Sequence, residues 1–268
     1  LAMAPDKARN IGNAQAIAQA PRLLSNLLVY AQDVQGGLLP PVVLYENPLA
    51  IAIVEFQDTW TNTKGLGQSL ADMGYGYTDL TPALLAGGAI NLTGYNTFII
   101  GSHVVQNTTL QTALTNAKTT LNSFVNRGGA VIMMTQADQY RANEDWLATP
   151  ANVVRCDTDF DAVFRIQNNH QLFQQPNVIT DSHLTGWQYL GSQTWPTSWE
   201  SFNTFQNVGA LAGNRASDPT LATLLESGWG YGRAVLTSLA PDKARNIGNA
   251  QAKTQAPRLV QNLMRYAA

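Results

Sequence analysis

The 268-residue sequence predicts an α/β fold, a mainly parallel sheet layered between helices with an antiparallel later edge. Three observations carry that expectation. Apolar runs of strand length alternate with amphipathic stretches from residue 42 to 134, the runs are apolar throughout, and the second half turns to short strands around glycine-rich turns. A strand that is apolar on both faces has to be covered on both, as parallel strands between helices are.

At the front, Leu23, Leu24, Leu27, Leu28 and Ala31 fall at helical spacing and predict a helix over 21–32. The stretch Gln35-Gly36-Gly37-Leu38-Leu39-Pro40-Pro41 cannot continue it. It sets a linker at 36–41 between a front segment, 1–35, and a domain at 42–268. Strands are expected at 42–45 and 51–56, a short helix at 65–73 stopped by Gly74, and strands at 75–80 and 95–101. Over 109–125, Leu110, Leu114, Ala117, Leu121 and Val125 recur at steps of four, three, four and four, one face of a helix. Arg127-Gly128-Gly129 stops it before a strand at 130–134. Later come short strands at 163–166 and 202–208, an irregular stretch at 168–200, a hairpin joining 220–226 to 233–239, and a closing helix at 256–266.

Composition narrows the function classes. With 45% hydrophobic residues the chain can bury a substantial core. Sixteen basic residues balance 18 acidic ones, so charge makes no case for nucleic acid or an anionic membrane. About 42 Asn and Gln residues outnumber the charged ones, a surface that suits a secreted or cell-surface protein. The single Cys156 excludes an internal disulfide framework. No stretch reaches the roughly 18 apolar residues of a membrane helix. Asn91 and Asn107 open Asn-x-Thr sequons.

The strongest signal is a repeat. The letters APDKARNIGNAQA occupy residues 4–16 and again 240–252, and likeness continues to Tyr30 and Tyr266, about 22 identities over 29 positions. The offset of 236 residues (240 − 4) is a whole domain. The front copy is therefore either the tail of a preceding domain in a tandem array or an arm for the matching surface of a neighbouring molecule. The second arrangement is head-to-tail self-association, which builds a filament unless it closes. The residues expected to carry assembly are Ala4, Pro5, Asp6, Arg9, Asn10, Leu23, Leu27 and Tyr30.

The runs Arg127-Gly128-Gly129-Ala130-Val131-Ile132-Met133-Met134, Tyr231-Gly232-Arg233-Ala234-Val235-Leu236-Thr237 and Asn262-Leu263-Met264-Arg265-Tyr266 resemble the class I glutamine amidotransferase-like fold. They are most similar to its trehalose-utilisation-type relatives. The segment from His170-Gln171-Leu172-Phe173 through Pro176-Asn177-Val178-Ile179-Thr180-Asp181 to Gly186-Trp187 is similar to the domain appended to PIG-L-type deacetylases. The resemblance implies a flavodoxin-like three-layer sandwich. It also implies where a nucleophilic Cys and its His base would stand, and those places hold Thr135 and Ala240. A Thr without a base is a poor nucleophile, so the implied domain is catalytically degenerate.

Other candidates are local. His103 follows the strand at 95–101, at the carboxyl end where open α/β sheets place ligands, and Thr135 and Gln136 share that end. Trp187, Trp195 and Trp199 could make an aromatic platform for a sugar ring or a second small core under the long loop. Asp157-Thr158-Asp159-Phe160-Asp161 opens like a calcium loop but lacks its later Gly and Glu, and it equally suits a solvated strand entry. His103, His170 and His183 lack metal-ligand spacing. Gly228-Trp229-Gly230-Tyr231-Gly232 does not open a helix and is no dinucleotide fingerprint. No metal and no cofactor are expected. The function expected is a non-catalytic structural or assembly module of an extracellular or cell-envelope protein. The alternative is a carbohydrate-binding or carbohydrate-processing domain, with Asp138, His103 and Glu55 as a hydrolase site.

Overall fold

Along strand β1 (Ile51–Val54) successive side chains enter two different apolar layers, Ile51 and Ile53 one and Ala52 and Val54 the other. The same sorting holds for Phe98, Ile99 and Ile100 of β3 (Thr97–Ile100), for β4 (Ala130–Met134) and for β12 (Gly232–Thr237). Period-two alternation in an all-apolar run therefore creates two cores, one on each face of a single sheet.

The computed structural model describes residues 49–134, 152–156, 160–190, 194–195, 200–206, 208–217, 219–229 and 231–267. Pro48–Ala268 form one compact unit. The front copy, the linker, the expected strand at 42–45, Thr135, Gln136, Asp138, Asp157, Asp159 and Trp199 lie outside the described residues.

In chain order, β1 leads to α1 (Leu66–Asp72), β2 (Tyr77–Asp79), α2 (Thr81–Leu85), β3, α3 (Thr108–Asn116), α4 (Lys118–Asn126) and β4. Then follow β5 (Asn152–Cys156), β6 (Phe164–Arg165), α5 (Asp181–Leu184), β7 (Tyr189–Leu190), β8 (Thr194–Trp195), β9 (Ser201–Gln206), β10 (Gly209–Gly213), β11 (Ala222–Trp229), β12, α6 (Ala244–Ile247) and α7 (Ala250–Ala267). The main sheet runs β2-β1-β3-β4-β12-β11-β10-β6. Its first five strands are parallel and the rest antiparallel. The mainly parallel sheet with an antiparallel later edge is thus the architecture observed.

Three elements differ from the sequence expectation. The helix expected over 109–125 is two helices, because the Ala117 N–H is shared between the Ala113 and Leu114 carbonyls and tightens the turn there. The closing helix begins at Ala250 rather than 256. Asn249 caps it through the Ala252 N–H (2.9 Å), and Pro257 is accommodated four residues after Lys253, which is exposed. The stretch 168–200 contains α5 and the small β7–β8 pair. The hairpin at the glycine-rich turn is β11 and β12, paired down to Trp229 opposite Gly232.

Candidate functional site

The carboxyl ends of β1, β3, β4 and β12 lie along one edge of the sheet in that order, and the loops that leave β1, β3 and β12 meet in one sealed polar cluster. After β3, Gly101 and Ser102 lead to His103, held in the left-handed region at φ 64°. After β12, Ala240 takes φ 43°, a conformation that costs a residue with a side chain. The turn is followed directly by Asp242 and Lys243, which meet the β1 and β3 loops. Gly65 faces the same turn, where a Cβ would collide with the Asp242 carbonyl.

Asp242 binds the β3 loop twice. Its Oδ1 accepts from the Ser102 hydroxyl (2.6 Å) and its Oδ2 from the Ser102 N–H (3.0 Å). Lys243 binds the β1 loop three times. Its ammonium stands 3.0 Å from Asp58 Oδ2 and donates to the carbonyls of Phe56 (3.0 Å) and Thr63 (2.5 Å). Asp58 also accepts from the N–H groups of Trp60 (2.9 Å) and Thr61 (2.7 Å) and from the Thr61 hydroxyl. His103 Nδ1 lies 3.7 Å from Asp58 Oδ2, and the Trp60 ring meets the imidazole edge-on at 5.4 Å.

Burial is decisive for what this cluster can do. Asp58, Ser102, His103, Asp242 and Lys243 are each 0% or 1% exposed, so no atom in solution reaches them. Burial by itself would raise the Asp58 carboxyl. The positive field of His103 and Lys243 and the Thr61 donors outweigh it and hold Asp58 below the usual carboxylate range. For Asp242 burial wins over Lys243 and Ser102, and its carboxyl is pushed above that range. Burial, with the nearby Asp242 charge, likewise raises the Tyr189 phenol well above its ordinary value. The arrangement is a lock between loops.

The lock continues along the repeated segment. Arg245 pairs with Asp72 (2.6 Å), and Asn246 donates to the Thr63 hydroxyl (2.5 Å) and the Lys64 carbonyl (2.8 Å). Tyr189 donates its hydroxyl to the Leu239 carbonyl (2.6 Å). Asn249 takes the Gly186 carbonyl through its side chain and the Gln188 carbonyl through its N–H. On α7, buried Asn262 donates to the carbonyls of Leu172 (2.7 Å) and Asn177 (2.8 Å) and accepts from the Asn177 N–H (3.0 Å). Around it Ala252, Ala256, Leu259, Val260, Leu263 and Met264 pack into one core.

Of the residues singled out from sequence, His103 sits in the sealed cluster, and Glu55 has partners of its own in Lys64 (3.1 Å) and the Gly67 N–H (3.2 Å). Trp187 is fully buried with its indole N–H on the His183 carbonyl (2.8 Å), and Tyr189 is buried beside it. The side chain of Trp195 lies outside the described residues. His183 caps α5, and the Asn107 side-chain Oδ1 caps α3 by accepting from the N–H groups of Thr109 and Leu110. Asn91 is exposed in a turn. Among the described residues no group of three His, Cys, Asp or Glu side chains could hold a metal ion, and no helix is long and apolar enough to cross a membrane. Asp58, Ser102 and Lys243 were not foreseen as a set. The one signal that pointed to part of it was the repeated Asp-Lys of the duplicated segment.

No protein-family model matches the chain, and no curated protein matches it at a significant level. Solved structures do. Two cytoplasmic proteins of Salmonella typhimurium, one from strain LT2, superpose with TM-scores of 0.50 and 0.51 at 14% and 12% identity. Each alignment covers 82% of this chain and 99% of the other. A glutamine amidotransferase from Thermotoga maritima superposes with a TM-score of 0.47 at 10% identity, over 82% of this chain and 97% of that one. At such identities the likeness is one of fold: the chain has an α/β architecture with a mostly parallel central sheet and antiparallel edge strands.

Proposed function

We propose that the chain is a non-catalytic assembly module whose repeated segment is a closing latch, one latch for each copy of a tandemly repeated domain. One observation carries this reading. Asp242, Lys243, Arg245, Asn246, Asn249 and Asn262 are all spent on the domain they close, and the front copy repeats them as Asp6, Lys7, Arg9, Asn10, Asn13 and Asn26. Where the copies differ, the buried positions exchange like for like, Leu24 for Val260 and Leu28 for Met264. Of the changes of polarity, Ile17 for Lys253 and Ala18 for Thr254 fall where the second copy is exposed, and Val29 for Arg265 where it is half-buried. The front copy keeps what a seat of this kind recognises.

Mass action favours the array over spontaneous exchange between finished chains. The domain has one seat and the chain carries two latches, so seating a front copy on a neighbour expels an equivalent latch. No contact is gained, while association costs about 4–15 kcal/mol of translational and rotational freedom. The front copy therefore belongs on a domain without a latch of its own, as a preceding copy in a longer polypeptide would be. Catalysis of the amidotransferase kind has no support in this chain. The implied nucleophile and base are Thr135 and Ala240, and the His103 imidazole nearby is sealed from solvent. A secreted or cell-surface setting fits the uncharged polar composition.

The test is complementation. A chain lacking residues 1–35 and carrying Lys243→Met has a weakened latch, and a synthetic peptide of residues 4–31 should raise its thermal midpoint. The same peptide with Lys7→Met should not. A midpoint indifferent to the wild-type peptide overturns the reading.

A further inference from the structure

His170, Tyr266 and Arg233 line a cleft of about 700 Å³ with Gln167, Asn168, Asn169 and Gln171, and Glu226 bonds to both His170 and Tyr266. Arg233 opens β12 at its amino end, so the cleft lies at the opposite end of the sheet from the sealed cluster. The Glu226 carboxylate is already satisfied. Glu226 Oε1 accepts from the Tyr266 hydroxyl, and Oε2 lies 3.0 Å from His170 Nε2. His170 Nδ1 accepts from the Leu172 N–H (3.3 Å), which leaves the proton on Nε2 for Glu226.

Arg233 is placed differently. Its guanidinium lies 4.1 Å over the Tyr266 ring, half-buried, and among the described residues no carboxylate stands within ion-pair distance of it. A guanidinium on an aromatic floor is oriented and partly desolvated, and with one donor turned to the Tyr266 oxygen it keeps the others for a planar anion. Around it four neutral amides offer donors and acceptors without charge, and Asn168 is steadied by Gln174 Nε2 on its carbonyl (2.7 Å). Neutral amides match hydroxyl groups, and the cation matches a carboxylate.

We infer that this cleft binds a small polyhydroxylated carboxylate, an acidic sugar, with Arg233 on the carboxylate and the 167–171 amides on the hydroxyls. The site takes its aromatic floor, Tyr266, from the latch helix α7 and needs no catalytic group.

Isothermal titration with glucuronate, glucose and acetate tests it on the full chain. Glucuronate should bind, glucose should bind at least about tenfold more weakly for want of the charge-assisted bonds, and acetate more weakly for want of hydroxyls. Arg233→Gln should cost about tenfold or more in glucuronate affinity. Asn169→Ala, at an exposed position, should narrow the preference for glucuronate over acetate without changing the thermal midpoint. The inference is overturned if glucuronate does not bind the wild type, or if Arg233→Gln, folded by its circular dichroism, binds it unchanged. Acetate binding as tightly as glucuronate overturns the sugar assignment.

Discussion

The Lys243 ammonium lies 3.0 Å from the Asp58 carboxylate, with both residues cut off from solvent, and it ties the end of β12 to the loop after β1. A buried pair of this kind adds little over a well-packed apolar pair, but removing one partner strands the other. Lys243→Met leaves Asp58 with His103 as its remaining positive neighbour and takes the donor from the Phe56 and Thr63 carbonyls. It should cost about 3–5 kcal/mol in urea unfolding. The double variant Lys243→Met with Asp58→Leu should recover part of that loss, and a double variant worse than the single would argue against pairing as the cause.

Two buried carboxylates should bend the pH profile in opposite senses. Asp58 has a folded value below the ordinary 3.8, so it stabilises the fold above 3.8 and loses that contribution as pH falls through its folded value. Asp242 has a folded value above 3.8, so its contribution is most favourable below 3.8 and declines as pH rises towards its folded value. Asp58→Asn should flatten the acid loss below 3.8, and Asp242→Asn should remove a decline just above it. Stability curves of wild type and both variants decide this, and two variants with the same pH dependence would contradict it.

Asn262 uses its side-chain amide on the carbonyls of Leu172 and Asn177 and on the Asn177 N–H inside an apolar layer. Asn262→Leu should leave those backbone groups unmet, at about 1–3 kcal/mol for each, and fully open the contact between α7 and the 171–177 loop. Hydrogen exchange at the Asn177 amide is the direct reading, and retained protection there would count against the account.

Arg245 repeats as Arg9, and among the described residues its ion pair is with exposed Asp72 at the surface. Arg245→Ala should leave the thermal midpoint within error of wild type at moderate salt. A large loss would mean that the latch depends on its rim rather than its buried pair.

The sheet was legible because a parallel strand must be apolar on both faces, and β1, β3 and β4 announce themselves that way. The true start of α7 was hidden by Pro257, which reads as a boundary until one sees Asn249 capping the helix from further upstream. The sealed cluster was less legible. Asp58 and Lys243 are far apart in sequence, and Ser102 and Asp242 are 140 residues apart, so no local pattern joins them. The cleft is similar: His170 appeared isolated because Glu226 lies 56 residues on and Tyr266 96. Only the doubled Asp-Lys gave a hint, since its second copy, Asp242 and Lys243, is held inside the domain.

The claim that the front copy is a second latch for the same seat is tested most directly by the solution mass of the full chain carrying Lys243→Met, measured by light scattering over a range of concentrations. With its own latch weakened, the seat should accept front copies from other chains. Mass should rise above the monomer with concentration and return to the monomer when Lys7→Met is added. A Lys243→Met chain that stays monomeric and whose stability is indifferent to Lys7→Met would contradict the account.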